Sequence, residues 1–296
     1  MMTRKLSGLI TGLLILAMTA GCSSGSKEEK GAGQTGGNEA RYLTVKGSDT
    51  MVHLVSTWAE AFMKAKPGTE ISVTGGGSGT GIAALINATT DICAASRGIQ
   101  DKEKTQATAK GVTPNEIPVA RDGIAVIVNR ENPVTELTVE QIGSIFSGKV
   151  TSWKDVGGPD QPILVLSRES SSGTYVFFQE HVMNKADYTV HARFLPGTSA
   201  VVQAVTADRW AVGYVGLGFL AEAGEGIHAL HVKANAVAPA VEATEASVRA
   251  GGYAIARPLF LYTSGAPAGL IKEFVEFCLG PDGQRIVRET GYVTLQ

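Results

Sequence analysis

The chain has 296 residues, a formal net charge of −2, and is 44% hydrophobic and 18% charged. That length buries a substantial core, as one large domain or two modest ones. A near-neutral balance without a basic stripe or an acidic tail gives no electrostatic footprint for nucleic acid.

Arg4 and Lys5 open the chain, and residues 6–18 form an apolar run too short to span a bilayer comfortably. Thr19-Ala20-Gly21-Cys22 follows. Small residues ahead of a cysteine resemble a bacterial lipoprotein cleavage site, although Thr19 stands where such sites more often carry Leu. Residues 1–21 are therefore expected to be a signal peptide and Cys22 the lipidated first residue; an ordinary signal peptide is the alternative. Residues 23–40 are mostly Gly, Ser, Lys, Glu, Gln and Asn, which cannot bury enough surface to fold and read as a flexible tether. The expected product is a folded body on a lipid anchor, outside the cytoplasmic membrane, with no other segment apolar enough to span a bilayer. Of the three cysteines, Cys93 and Cys278 remain; they are either buried free thiols or a disulfide pair.

The folded part begins near Arg41. A strand is expected over 42–46, a turn at Gly47-Ser48-Asp49-Thr50, and a helix with Met51, Val55, Trp58 and Phe62 on one face, stopped by Pro67-Gly68. A strand over 70–74 leads to Gly75-Gly76-Gly77-Ser78-Gly79-Thr80-Gly81 and a helix through Ile82, Leu85 and Ile86; 91–95 is the next strand. Repeated strand–loop–helix units favour a parallel, doubly wound sheet. Residues 117–123 then lead into 124–128, a crossing into a second domain. Thr138-Val139-Glu140-Gln141 is a capping box opening a short helix. A strand over 163–166 runs into Arg168-Glu169-Ser170-Ser171-Ser172-Gly173-Thr174, followed by a helix carrying Tyr175, Phe177, Phe178 and Val182. Further strands are expected over 211–215, 229–232 and 254–262, the last returning to the first domain. Two helices close the chain, one with Leu270, Phe274, Phe277 and Cys278, one after Pro281.

Two loops end in the same Ser-Gly-Thr at a helix start, and Thr50-Met51 opens a third. The first four N–H groups of a helix have no partner within it, and its macrodipole adds partial positive charge there. Glycine lets a ligand approach the backbone, and Ser and Thr hydroxyls donate further bonds. Arg168 adds a guanidinium able to grip two oxygens. One such loop is only a tight turn. Three together suit a small oxyanion gripped from two sides.

Gly47-Ser48-Asp49-Thr50-Met51, the glycine loop through Ile82, 91–97 and 168–175 resemble the successive motifs of the phosphate-binding proteins of bacterial high-affinity phosphate ABC transporters, over essentially the whole of 41–296. The resemblance implies an α/β class II periplasmic-binding-protein fold, two doubly wound lobes joined by crossover strands with a ligand cleft between. Lobe I would be 41–121 plus 253–296, and lobe II 122–252. It implies a monomeric binding protein that captures inorganic phosphate and hands it to ABC permease subunits, without covalent chemistry, cofactor or metal. Carried over by motif, Thr50, the Met51 backbone and Ser78 bind from the first lobe, with Ser48 beside them. Arg168, Ser172, Gly173 and Thr174 bind from the second, with Ser171 beside them.

The chain departs from that family where some members carry a cleft aspartate: here stand Ser96 and Arg97. Ser170 stands where an aspartate often braces the binding arginine. A carboxylate acceptor rewards the proton phosphate keeps near neutral pH and repels sulfate, which has none. Asp49 is the candidate replacement, or else a helix N-cap; Glu169 is a weaker candidate or a brace. Arg97 touches the anion or pairs with a carboxylate. Tungstate, molybdate or sulfate is the alternative ligand. A secreted phosphatase using Ser78 or Ser172 would need a base and a metal cluster, and the five histidines show no metal spacing, His228 and His231 facing opposite ways on one strand.

Overall fold

The computed structural model describes residues 41–295; the expected signal peptide (1–21), lipidated Cys22 and tether lie outside the described residues. Strand and helix alternate at first: β1 (Arg41–Gly47), α1 (Val52–Ala65), β2 (Thr69–Thr74), α2 (Ser78–Ile86), β3 (Ile92–Ala95), α3 (Asp101–Ala109) and β4 (Pro114–Asn129). The middle carries β5 (Glu136–Thr138), α4 (Val139–Phe146), β6 (Leu164–Arg168), α5 (Gly173–His181), β7 (Arg193–Leu195), α6 (Thr198–Ala207) and β8 (Ala211–Gly216). It continues with α7 (Leu217–Glu222), β9 (Ile227–Ala229), β10 (His231–Lys233), β11 (Ala240–Val241) and α8 (Glu245–Arg249). β12 (Ala256–Ser264), α9 (Gly269–Leu279) and α10 (Pro281–Glu289) complete the chain.

Local sequence explains most of these elements. α1 buries Leu54, Val55, Trp58, Ala59 and Phe62, one stripe at helical spacing. It ends at Lys66, which precedes a proline and so is pushed out of helical geometry. Trp58 Nε1 donates to Gly283 O at 2.8 Å and ties α1 to α10. Both arms of the expected capping box form at Thr138: Gln141 N donates to Thr138 Oγ1 at 3.1 Å, and Thr138 N to Gln141 Oε1 at 2.9 Å. α3 has no apolar stripe for a pattern to find, since it buries only Glu103 and Ala107; the side chain of Glu103 reaches back to Gln100 N at 2.8 Å.

The main sheet runs β2-β1-β3-β12-β4-β8-β6-β7, with β9 also on β4. β1 is parallel to β2 and β3, and β8 to β6, which is parallel to β7. The expected doubly wound halves are joined in the middle, where β12 and β4 run antiparallel to each other and to their other neighbours, β3 and β8. These two strands link the halves. β4 pairs with β12 through Gly123 and with β8 from Ile124 onward. The expected strand over 229–232 is two strands broken at Leu230, so His228 lies on β9 and His231 on β10.

Alternation along the central strands splits the first half into two cores. Ile92, Ala94, Leu259 and Leu261 join one cluster with Trp58 and Phe274; Cys93, Ala95, Phe260 and Tyr262 join another with Ile82 and Leu85. Strands covered on both faces read as continuous apolar runs, as these do. A third cluster, around 124–128, Phe146, Trp153, Phe178 and Tyr214, fills the second half. Cys93 and Cys278 are buried free thiols in different clusters. Among the described residues no helix is long and apolar enough to cross a membrane.

Candidate functional site

Ser48, the glycine loop and Ser96 follow the carboxyl ends of β1, β2 and β3, and Arg168 ends β6. The crevice outside strand carboxyl ends is where open α/β sheets place ligands. Here it gathers hydroxyls from four segments. Ser48 Oγ donates to Ser96 Oγ at 3.0 Å, the Ser78 and Ser96 hydroxyls lie 3.4 Å apart, and Ser96 N donates to Ser78 Oγ at 3.0 Å. The Thr50 and Thr174 hydroxyls hydrogen-bond at 2.9 Å, though 124 positions apart in sequence. All five hydroxyl-bearing residues are buried.

The starts of α2 and α5 converge from opposite halves. A Cβ added to Gly173 would sit 2.3 Å from Ser78 Oγ and 2.7 Å from Ser96 Oγ, so only glycine permits this approach. Gly79 N donates to Ser171 O at 2.9 Å. Gly77, at φ +90°, would meet the same carbonyl oxygen at 2.5 Å if it carried a Cβ. Ser172 caps α5 by accepting from Tyr175 N at 3.3 Å. Two helix N-termini thus face one point lined with hydroxyls, and their dipoles favour negative charge there.

Arg168 is buried at the end of β6. Its Nε donates to Leu195 O (3.3 Å), Nη1 to Thr198 Oγ1 (2.9 Å) and Nη2 to Asp49 Oδ2 (2.7 Å). These bonds occupy three of its five N–H groups. Asp49 therefore braces Arg168 from across the cleft, and its other oxygen accepts from Gly76 N at 2.8 Å. The helix N-cap alternative for Asp49 is corrected: its side chain caps nothing, because both oxygens have these partners. Behind Arg168, the Tyr214 hydroxyl bonds Ser167 Oγ (2.7 Å) and Tyr188 (3.0 Å), and burial pushes the Tyr214 phenol's pKa up.

Arg97 forms a two-pronged pair with Glu103 (2.8 and 2.7 Å), and its Nη1 also donates to Gly98 O. The Met51 side chain lies in the first-half core, and Met51 N donates to Ser48 O at 3.0 Å. The remaining expected site residues, Ser48, Asp49, Thr50, Ser78, Ser96, Arg168, Ser171, Ser172, Gly173 and Thr174, line one crevice or brace those that do.

Sequence reasoning missed an ion pair. Asp122 of β4 and Arg257 of β12 stand directly opposite in the sheet register, and both side chains are 0% exposed. Arg257 Nε and Nη2 donate to Asp122 Oδ2 at 3.1 and 2.9 Å, Nη2 also donates to Thr174 Oγ1 at 3.0 Å, and Leu217 N donates to Asp122 Oδ1 at 3.0 Å. Burial raises the Asp122 pKa against the lowering pull of Arg257. The available signal was charge set against an apolar run in each strand, Arg121-Asp122 before 124–128 and Arg257 before 259–262. Buried charges are retained when paired. Among the described residues no cluster of His, Cys, Asp and Glu could hold a metal ion.

Residues 31–282 match the family model of a PBP superfamily domain. A phosphate-binding protein PstS of Staphylococcus epidermidis is 35% identical over 254 residues, 84% of this chain and 77% of that protein. One from Staphylococcus aureus is 33% identical over 286 residues, 95% of this chain and 84% of that one. A substrate-binding protein of Clostridium perfringens, solved with bound phosphate, matches with a TM-score of 0.77 at 31% identity, covering 86% of this chain and 100% of that one. An ABC-type phosphate transport receptor from Vibrio cholerae matches with a TM-score of 0.69 at 28% identity, covering 86% and 99%. The chain belongs to the PBP superfamily and, within it, to the family of the phosphate-binding proteins PstS.

Proposed function

We propose that this protein captures inorganic phosphate in the crevice between lobe I (41–121 with 253–296) and lobe II (122–252) and delivers it to an ABC permease for import. The observation that carries the reading is the meeting of the α2 and α5 N-termini around buried Ser78, Ser96, Thr50 and Thr174 hydroxyls, with Arg168 alongside. Donors dominate that surface, and fixed dipoles stabilise an anion without reorganising around it. Each charge-assisted bond contributes about 1.5–3 kcal/mol, enough in concert for micromolar binding or tighter. The relatives bear the names of binding and transport components, and the reading is of a binding protein rather than an enzyme.

The protein acts outside the cytoplasmic membrane as a monomer, tethered by lipid on Cys22 through residues 23–40, and its lobes open and close to signal occupancy to the permease. Calorimetry with phosphate, sulfate, molybdate and tungstate tests the ligand. Phosphate is expected to bind most tightly, and tighter sulfate or molybdate binding would overturn the assignment. Mass spectrometry of the membrane-extracted protein tests the anchor, a diacylated N-terminal cysteine being the expected species.

A further inference from the structure

We propose that Tyr292 is a positioning residue for the anion site: its hydroxyl holds the Thr50 carbonyl and thereby aims the Thr50 hydroxyl into the crevice. The inference rests on the phosphate reading above and adds to it a residue from the far end of the chain.

The backbone fixes Tyr292 from both sides. Behind it, α10 ends in a Schellman turn: Gly291 N donates to Arg288 O at 3.0 Å, Tyr292 N donates to Val287 O at 2.9 Å, and Gly291 takes φ +79°. Ahead of it, Val293 is bridged to Arg121 of β4, Val293 N donating to Arg121 O at 2.9 Å and Arg121 N to Val293 O at 2.7 Å. Between these ties Tyr292 is 1% exposed, in the same cluster as Met51 and Leu54. From there its hydroxyl donates to Thr50 O, 242 positions away in sequence.

Thr50 O and Met51 N belong to one planar peptide unit. Met51 N donates to Ser48 O at 3.0 Å, so this unit is held at its nitrogen by the turn and at its oxygen by Tyr292. The threonine attached to it then presents its hydroxyl to Thr174 at 2.9 Å. The ring also meets the second half. A Cβ added to Gly218 of α7 would sit 2.5 Å from Tyr292 Cζ and 2.7 Å from its hydroxyl oxygen, and one added to Gly291 would sit 3.1 Å from Gly218 Cα. Glycine on both sides lets the two segments touch. Tyr292 therefore stands where the halves meet, one hydrogen bond from a residue that meets the other half inside the crevice.

A double-mutant cycle on the whole protein tests this, read by titration calorimetry with inorganic phosphate. Tyr292→Phe keeps the ring and deletes the donor. It is expected to weaken phosphate by about 3- to 10-fold, the worth of one hydrogen bond. Thr50→Val keeps the carbonyl and loses the hydroxyl. Made in that background, Tyr292→Phe is expected to cost less than about twofold, because the group it aims is gone. A role confined to general stability would weaken phosphate by the same factor in both backgrounds, and that result overturns the inference. Gly218→Ala displaces the phenol without altering it and decides the matter if Tyr292→Phe misfolds. Its loss of affinity should likewise shrink in the Thr50→Val background, and an equal loss in both refutes the positioning role. Wild type and Tyr292→Phe that bind phosphate equally tightly refute the role of Tyr292 alone. Wild type that does not bind phosphate refutes the phosphate reading, and this inference with it.

Discussion

Replacing Gly173 by Ala separates closure from folding. The new methyl would sit 2.3 Å from Ser78 Oγ and 2.9 Å from Ser78 Cβ, so turning the hydroxyl aside does not clear it. Ordinary contact requires the α5 start to retreat by roughly 1 Å. Overpacking of this size costs about 1–3 kcal/mol, and here only the closed form incurs it, because Ser78 and Gly173 belong to opposite halves. Phosphate binding should weaken roughly 5- to 150-fold, each tenfold corresponding to about 1.4 kcal/mol. The ligand-free protein should lose nothing, since alanine is the better helix residue by up to about 1 kcal/mol. Titration calorimetry gives the first quantity and thermal unfolding without phosphate the second. An affinity within twofold of wild type, or a ligand-free melting temperature lower by several degrees, would refute the reasoning.

Other expectations follow from the same contacts. Asp49→Asn removes the carboxylate that braces Arg168 and should weaken phosphate by roughly 10- to 100-fold, the worth of a charge-assisted bond. It should leave the phosphate-to-sulfate ratio unchanged; a shift in that ratio would instead make Asp49 the acceptor. Glu273 accepts hydrogen bonds from Arg41 and Lys66, which lower its pKa to about 2. The unfolded value is about 4.3, so its contribution is complete above that and lost as pH falls through about 2. The melting-temperature gap between wild type and Glu273→Gln should therefore be widest at neutral pH and close on acidification, and a pH-independent gap would contradict the assignment. Burial pushes the Cys93 and Cys278 thiols up. Neither should react with iodoacetamide in the native protein and both should react in denaturant, read by peptide mass spectrometry; native labelling of either would contradict it.

The sequence was most informative where function and local structure use the same residues. Ser-Gly-Thr at the starts of α2 and α5 is a helix signal and an anion signal at once, and the Thr138 box specifies its own helix start. Pairing between distant segments was not legible. Asp122 and Arg257 are 135 positions apart, and nothing near either names the other. Asp49 could be weighed as cap or acceptor, but its position opposite Arg168 follows from how the halves meet. The polar surface of α3 hid a helix that the Gln100–Glu103 cap supports. The return of 254–262 to the first half was legible, but its antiparallel pairing with β3 and β4 was not, because a local strand–helix rhythm names no partner.

β12 is inserted between β3 and β4, at the centre of the sheet rather than at its rim. During synthesis everything up to residue 255 is therefore made before the strand that joins the two parts exists. Until then β3 and β4 each present an unsatisfied margin, and the nascent polypeptide has no finished first lobe to lock prematurely. This late keystone leaves the two halves unjoined until the final segment is made. A version truncated before Ala256 should accumulate as aggregate rather than as a stable half-molecule.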